Sequence, residues 1–307
     1  MFRCLRVLSI STATVLAASG LAAGGLVGNA DAAPAGSHTA HPRLPAVYPT
    51  PQSMSGHGRA VDLGSRVALV AGNDSDPSAV AAARTVLTSA GVRHIDAAPT
   101  HGGETAIFVG GAGARAAAGR LHVADAAELP AEGYVLATGT AHGHPAVVLD
   151  GHDATGTFYA AQTLRQLVER HGYDARVPGV TIRDWPDQPL RGVIEGFYGT
   201  PWSDAQRLAQ MDFYGAHKMN SYVYSPKDDP YLRAQWRDPY PADQLAVLKN
   251  LVARATANHV QFTYALSPGL SVCYSSAVDE HALVAKFQSL WDIGVRSFSV
   301  PLDDISY

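Results

Sequence analysis

Two adjacent aspartates near the end of the 307-residue sequence, Asp303 and Asp304, are the residues best suited to chemistry. Two close carboxylates resist ionising together, so one of them can keep a proton near neutral pH and serve as a general acid. Glycosidases need this division, because one group protonates the departing oxygen while another stabilises charge or attacks the sugar. The pair therefore indicates glycosidic bond cleavage. For an isolated Asp-Asp dipeptide the alternative is a solvated surface loop.

The geometry of such a pair limits how it can act. Adjacent side chains of a regular strand point to opposite faces, so both carboxylates reach one pocket only if the chain leaves extended geometry at Asp303. Both groups would then lie on one side of the substrate, which suits poorly a carboxylate that attacks opposite the leaving group. Substrate-assisted catalysis removes the difficulty, because the nucleophile is then the 2-acetamido oxygen of the sugar itself.

The elements before the pair alternate between strands and helices. Apolar runs predict strands that begin at Val193, at Ser221 and at Gln261, and a fourth over Ser297–Leu302 that leads into the pair. Amphipathic stretches between them predict helices from Ser203 to Gly215, from Ala242 to Ala257 and from Asp279 to Ile293. This pattern predicts an α/β fold, namely the first half of a (β/α)8 barrel truncated after strand four, over residues 185–307. A doubly wound sheet shows the same alternation, but no Gly-rich phosphate loop follows the first strand.

In barrel enzymes the active site lies at the carboxyl ends of the strands. Each predicted strand here runs into polar or unusual residues at that end: Glu195–Trp202, Ser225–Asp229, Ser267–Gly269, and Asp303 with Asp304.

The preceding residues, 46–184, are expected to form a small α/β (α+β) domain. Strand-like runs such as Val67–Val70 and Ala146–Leu149 alternate there with amphipathic stretches. A helix is expected to start near Asp153 and to end at Gly172. The proline-rich segment that begins at Asp184 marks the boundary between the two domains.

Charge and composition narrow the class of ligand. The formal net charge is −4 and the sequence has no long Lys/Arg block, which argues against nucleic acid or an anionic membrane as partner. A neutral sugar fits better. The 13 histidines show no metal-ligand spacing, so neither a metal nor another cofactor is expected. Cys273 is expected to be a buried, small apolar residue.

The amino terminus is typical of an exported protein. Arg3 and Arg6 precede an apolar run, and a small-residue site at Ala30–Ala32 would allow cleavage before Ala33. We therefore expect a signal peptide over residues 1–32, a flexible leader over 33–45, and a secreted, extracellular protein without a membrane contact after cleavage. A retained membrane anchor is the alternative.

Four motifs in this order resemble glycoside hydrolase family 84, which contains bacterial β-N-acetylglucosaminidases, enzymes called hyaluronidases, and the O-GlcNAcases. The similarity covers about residues 191–307, and the region before it resembles the small domain that precedes such barrels in hexosaminidases. The motifs are Glu195–Trp202, Tyr224–Tyr231, Ser267–Gly269 with Cys273–Ser276, and Leu302–Ile305.

The resemblance implies a role for each matching residue. Asp303 would orient the acetamido group and balance the charge on its nitrogen as the oxazoline forms, and Asp304 would be the general acid/base. Gly196, through its backbone carbonyl, and Lys227 would hold sugar hydroxyls. Without the resemblance, Gly196 would be interpreted as a tight turn and Lys227 as a surface cation. The aspartates that follow Lys227 would be its structural neighbours.

The implied activity is removal of terminal β-linked N-acetylglucosamine by a retaining, substrate-assisted mechanism. The substrate partner is a carbohydrate that bears this sugar. A truncated, non-catalytic carbohydrate-binding pseudoenzyme is the alternative, and a metal-dependent phosphodiesterase that uses the Asp pair as ligands is a weaker third. A chain that stops after strand four lacks the sugar contacts of the later strands, so the 307 residues alone are expected to show no turnover.

Overall fold

The structure is a computed structural model, and it describes residues 44–302 with the exception of residues 57 and 173. The predicted signal peptide and most of the predicted leader lie outside the described residues, as do Asp303 and Asp304. In the part of the chain that is described, no helix has the length and apolar character needed to span a membrane.

Residues 44–184 contain strands and helices that alternate along the chain. In order, they are β1 (Ser53–Gly56), β2 (Val61–Asp62), β3 (Arg66–Val70), α1 (Pro77–Ser89), β4 (His94–Asp96), β5 (Thr105–Val109), α2 (Gly111–Arg120), β6 (Tyr134–Ala141), β7 (His144–Gly151), α3 (Ala154–Leu167), β8 (Glu169–His171), β9 (Asp174–Val177) and β10 (Val180–Asp184).

Seven of these strands form a mixed sheet in the order β1-β10-β6-β7-β5-β3-β4. Strands β4, β3, β5 and β7 run parallel, whereas β6, β10 and β1 add antiparallel neighbours. Successive side chains of a strand point to opposite faces. Ile107 therefore packs in the cluster that includes residues of α1 and α3, while Phe108 packs in the cluster that includes residues of α2. Strands β2, β9 and β8 form a separate antiparallel sheet.

Helix α3 begins where the sequence indicates but ends earlier. Asp153 caps it by accepting a hydrogen bond from the backbone N–H of Gly156 at 2.8 Å. The expectation that Gly172 ends the helix is wrong: the helix ends at Leu167, and Gly172 has a φ of +64° after strand β8. Val168 is extended, and the residues that follow it pair with β9. Strand pairing therefore prevails over continuation of the helix.

Residues 192–299 form four strands with helices between them. They are β11 (Gly192–Glu195), α4 (Asp204–Ala216), β12 (Ser221–Tyr224), α5 (Ala242–Ala257), β13 (Gln261–Ala265), α6 (Ala277–Asp292) and β14 (Ser297–Ser299). The strands are all parallel and lie in chain order, so the predicted α/β class is confirmed. The register aligns Glu195, Tyr224, Tyr264 and Phe298 in one row across the sheet.

Local side-chain chemistry explains the helix starts in this part. Ser203 forms a capping box with Gln206 at the start of α4. Helix α6 begins two residues before the predicted start, because Ser276 caps it and accepts from the N–H of Asp279 at 3.4 Å. Strand β14 stops at Ser299 rather than at Leu302, and Pro301 has no N–H to offer a strand ladder.

The two parts of the described chain meet at the amino-terminal ends of the parallel strands. Arg191, just before β11, donates to Glu132 at 2.5 Å and to the hydroxyl of Tyr159 at 3.1 Å. Asn220, just before β12, donates to the same Glu132 at 2.8 Å. His259, before β13, lies 3.0 Å from a carboxylate oxygen of Asp76. We call this set of contacts the domain joint.

Candidate active site

The carboxyl ends of the parallel strands bring two of the sequence motifs together. Because β11 and β12 are adjacent and in register, the loops that follow Glu195 and Tyr224 lie side by side. Residues of both loops line a small cavity, among them Phe197 from the first loop and Pro226 and Lys227 from the second. This is the edge at which the sequence places the active site.

Glu195 closes the base of this cavity as a buried carboxylate, with 1% of its surface exposed. Arg207 donates to it from Nε, at 3.1 and 3.0 Å, and from Nη2, at 2.7 Å. The hydroxyl of Tyr222 donates to it as well. Burial and the charge of Glu195 raise the pKa of Tyr222, so the hydroxyl stays protonated and remains a donor. Glu195 is thereby held in place by hydrogen bonds from two side chains.

Gly196 directly follows this anchored residue, in the loop after β11. A Cβ added to Gly196 would lie 3.5 Å from Cγ2 of Ile194, an ordinary contact, and the residue does not adopt the positive φ that favours glycine. Its N–H donates to the carbonyl of Ile194 at 3.0 Å, so Gly196 does lie in a tight turn, although this turn does not require glycine through a positive φ.

Lys227 lies on the β12 loop with its side chain exposed. Its Nζ is 5.4 Å from the ring centroid of Tyr198, which comes from the β11 loop. A cation over an aromatic face at this distance is attracted by the ring. The contact joins the two motif loops above the cavity.

Asp229 anchors the β12 loop from below. Its Oδ2 accepts from the hydroxyls of Tyr224 at 2.9 Å and Tyr240 at 2.7 Å, and its Oδ1 accepts from the N–H of Tyr231 at 2.9 Å. Burial and the charge of Asp229 raise the pKa of Tyr224. Asp229 thus supports the loop that carries Lys227. The sequence analysis expects the aspartates after Lys227 to be its structural neighbours.

The loop after β13 carries the third motif and is tied to α6. Asp279 accepts two hydrogen bonds from Arg237, both at 2.6 Å, and one from the N–H of Cys273 at 2.7 Å. Hydrogen bonds from Arg237 and then from Cys273 lower the pKa of Asp279 to about 2. The expectation that Cys273 is buried is wrong: the residue is exposed, and its backbone N–H rather than its thiol is held by Asp279.

Aromatic residues near the edge divide into packing and exposed groups. Trp236 is fully buried and Tyr224 is 6% exposed, so both belong to the core beneath the edge. Tyr198 is 82% exposed. The ring of Tyr198 is therefore largely open to solvent, although Lys227 lies over one of its faces.

A further cavity lies away from this edge, at the domain joint. Its lining includes Lys218, Asp184, Tyr134, Glu132 and Arg191. Lys218 donates to Tyr134 at 2.7 Å and to Asp184 at 3.1 Å, and Arg191 pairs with Glu132. Because these charged groups satisfy one another, we assign this cavity to the joint rather than to catalysis.

Comparison with known proteins connects both parts of the chain to hexosaminidases. A family model described as β-N-acetylglucosaminidase matches residues 191–307, and a model described as glycosyl hydrolase family 20, domain 2, matches residues 44–185. The solved structure of CpGH84B is 35% identical, with a TM-score of 0.73 over 85% of this chain. These matches support an assignment to glycoside hydrolase family 84.

The other matches cover different shares of this chain. The structure of CpGH84D is 29% identical, with a TM-score of 0.74 over 86% of this chain. The protein O-GlcNAcases of Rattus norvegicus and Mus musculus are each 36% identical over 118 residues, which is 38% of this chain. The chain spans 44% of the length of CpGH84B and 13% of the length of the two O-GlcNAcases.

The candidate residues have different positions relative to the described structure. Gly196 and Lys227 lie on the adjacent loops of β11 and β12, whereas Asp303 and Asp304 lie outside the described residues, directly after Leu302. All four fall in the segment matched by the β-N-acetylglucosaminidase model. Their catalytic and binding roles remain predictions.

Sequence reasoning missed the charged residues that hold the loops. Glu195 belongs to the first motif, but the sequence analysis assigned it no role. Arg207 and Asp279 lie within predicted helices, where nothing in the sequence marks them as partners of the loops. A basic residue on the helix after a motif that contains a glutamate is a signal for such a pair, although helical sequences contain many such residues. The partner is identified only by packing.

Proposed function

We propose that this chain is part of a glycoside hydrolase that removes terminal β-linked N-acetylglucosamine from a carbohydrate. The observation that carries the proposal is the convergence of the Gly196 and Lys227 loops on one cavity at the carboxyl edge of the parallel sheet. Asp303 and Asp304 follow β14, the fourth strand of this sheet, in the sequence. The names of its rodent relatives, protein O-GlcNAcase, support the same substrate class.

The proposed reaction has two steps and retains the anomeric configuration. Asp303 orients the 2-acetamido group, whose carbonyl oxygen attacks the anomeric carbon, while Asp304 gives its proton to the departing oxygen. The products of this step are the free alcohol and a bound oxazolinium ion, whose positive charge the Asp303 carboxylate balances. Asp304 then takes a proton from water as the water oxygen opens the oxazoline. The sugar's own amide is the nucleophile, so no second carboxylate is needed on the opposite face.

Gly196 and Lys227 are proposed to bind the sugar. The carbonyl of Gly196 would accept a hydrogen bond from one hydroxyl, and the ammonium of Lys227 would donate to another. The lack of any conformational need for glycine at position 196 supports a ligand-related reason for its small size.

We also propose that β11–β14 are the first half of a (β/α)8 barrel over residues 185–307, preceded by a domain over residues 46–184. In the described part of the chain, β11 and β14 each pair with a single strand neighbour. The relative CpGH84B is more than twice as long as the segment that this chain covers. Further strands that close the sheet would complete the sugar site.

Export is the remaining proposal about the whole protein. The charged start, apolar run and small-residue site of residues 1–32 support a cleaved signal peptide and a secreted, extracellular protein. The mass of the protein recovered from the culture medium of its source tests this, since cleavage before Ala33 gives a defined amino terminus. An uncut amino terminus in a membrane fraction would contradict it.

Kinetics of the full-length gene product test the mechanism. Asp304→Ala should reduce turnover of N-acetylglucosaminides with poor leaving groups far more than that of activated aryl glycosides, because the activated ones depart without a proton. Asp303→Asn should reduce both, since it damages oxazoline formation. The matching aryl glucoside, which lacks the acetamido group, is the control and should not be cleaved.

A stable thiazoline analogue of the oxazoline tests substrate assistance directly. It should inhibit the wild-type protein tightly and bind Asp303→Asn much more weakly.

Two results would contradict these assignments. Equal losses of turnover on both substrate types for Asp304→Ala would remove that residue from the acid role. Sugar binding without turnover would instead favour the pseudoenzyme.

A further inference from the structure

One buried guanidinium touches both of the loops that are proposed to bind the sugar. Arg207, on α4, holds Glu195 through Nε and Nη2, and its Nη2 lies 3.8 Å from Oδ1 of Asp228. Glu195 directly precedes Gly196, and Asp228 directly follows Lys227. Arg207 therefore lies between the supports of two groups that come from different loops.

The position of Arg207 itself is strongly determined. It lies in the first turn of α4, which the capping box of Ser203 fixes, and it is 6% exposed. Its guanidinium carbon is 5.5 Å from the ring centroid of Tyr224. Donation from two guanidinium nitrogens to one carboxylate sets both distance and orientation, which a lysine cannot reproduce. Movement of Arg207 would therefore move Glu195.

The guanidinium also contacts a third carboxylate, which provides a comparison within the same site. Nη1 lies 3.3 Å from Oδ1 of Asp204, in the first turn of α4. The side chains of Asp204 and Asp228 have similar exposure, 55% and 48%. Asp228 belongs to a sugar-binding loop, whereas Asp204 belongs to the helix that carries Arg207. Of these two contacts, the one with Asp228 links Arg207 to a loop and the one with Asp204 does not.

We propose that Arg207 is a positioning residue that sets the distance between the Gly196 carbonyl and the Lys227 ammonium, and thereby the affinity for the sugar. The inference rests on the proposed function. Arg207 lies beneath the cavity and acts through Glu195 and Asp228. Because it shapes a binding surface used in both the ground state and the transition state, its loss raises KM and leaves kcat nearly unchanged.

Kinetics of three single variants of the full-length gene product test this proposal. Arg207→Lys should raise KM for an aryl N-acetylglucosaminide, and Kd for the thiazoline, by about tenfold or more, because a single ammonium cannot replace the two-nitrogen contact. Asp228→Asn should raise both constants by about threefold, as expected for loss of a half-exposed ion pair. The matched control Asp204→Asn should leave both constants unchanged.

The outcomes separate this inference from the function on which it rests. Absence of N-acetylglucosaminidase activity in the wild type would contradict the proposed function. An active wild type in which Asp228→Asn and Asp204→Asn have equal effects on KM, or none, would overturn the role of Arg207. The same holds if Arg207→Lys lowers only the melting temperature, or kcat rather than KM. If Arg207→Lys fails to fold, the two aspartate variants, which alter half-exposed positions, still decide the question.

Discussion

The ion pair between Lys218 and Asp184 at the domain joint permits a quantitative prediction. Lys218 is 5% exposed and lies on the turn after α4, while Asp184 ends β10. Burial lowers the pKa of Lys218, and the charge of Asp184 partly offsets this effect. The hydroxyl of Tyr134 accepts a further hydrogen bond from the ammonium at 2.7 Å. The pair therefore holds two buried opposite charges across the joint.

Removing one member of the Lys218–Asp184 pair should lower the free energy of unfolding far more than removing both. Asp184→Asn keeps the side-chain shape but leaves the ammonium of Lys218 without its carboxylate, which should lower the free energy of unfolding by about 3–5 kcal/mol. Adding Lys218→Met removes the stranded charge and keeps the apolar stem. The double variant should therefore lie within about 1.5 kcal/mol of the wild type, since an apolar replacement of a buried pair is often neutral.

Urea unfolding, followed by circular dichroism and by tryptophan fluorescence, measures these differences. The exposed pair of Arg254 and Asp212, at 3.2 Å with side chains 47% and 52% exposed, is the control. Breaking that pair should cost less than about 1 kcal/mol. A pH series adds a second readout for Asp184→Asn. The stranded Lys218 has a lowered pKa in the folded state, so the unfolded state binds more protons, and stability should rise with pH toward the usual lysine value of 10.5.

Two results would refute this reasoning. If the double variant is as unstable as Asp184→Asn, the loss comes from shape rather than from an unpaired charge. If Asp184→Asn costs no more than the exposed control pair, water reaches Lys218 and the joint is not buried in solution.

Three further predictions concern the carboxyl-edge loops and their supports. Asp279, with a folded pKa of about 2 against a usual 3.8, contributes stability above about pH 4 that is lost as the pH falls toward 2; Asp279→Asn should flatten this part of an acid unfolding curve. Burial lowers the pKa of Lys286 from 10.5 to about 8, so wild-type stability should rise between pH 8 and 10.5. Urea unfolding of Lys286→Met should show a smaller rise, because Lys218, whose pKa is also lowered, still contributes. The exposed thiol of Cys273 should react with a maleimide in the native protein as fast as in the denatured one, measured by peptide mass spectrometry; a rate a hundredfold lower would show a buried thiol.

Regular elements with local signals were predictable from the sequence. Helix α5 has the predicted bounds and strand β13 begins at the predicted residue, because their apolar spacing is carried by their own residues. The end of α3 was not predictable from Gly172, since pairing of β8 with β9 depends on residues later in the chain. The exposure of Cys273 likewise depends on the clamp that Asp279 and Arg237 form across 42 residues.

The sequence predicted the sheet edge at which the candidate site lies, but not the side chains that support it. Parallel strands place their carboxyl ends together, so the loops after β11 and β12 had to be neighbours once the fold class was correct. The carboxylates and cations beneath the loops were not predictable, because a buried pair such as Glu195 and Arg207 is defined by which helix face packs on which strand. Sequence alone shows the charges but not their partners.

The domain joint and the motif loops occupy opposite edges of one sheet, and this separation has a practical consequence for directed evolution. Arg191, Asn220 and His259 each precede a strand, whereas Gly196 and Lys227 each follow one. Libraries that vary the length or composition of the loops after the strands leave the joint residues untouched. Most members should therefore retain their fold, so a screen for new sugar specificity would sample altered recognition rather than unfolded protein.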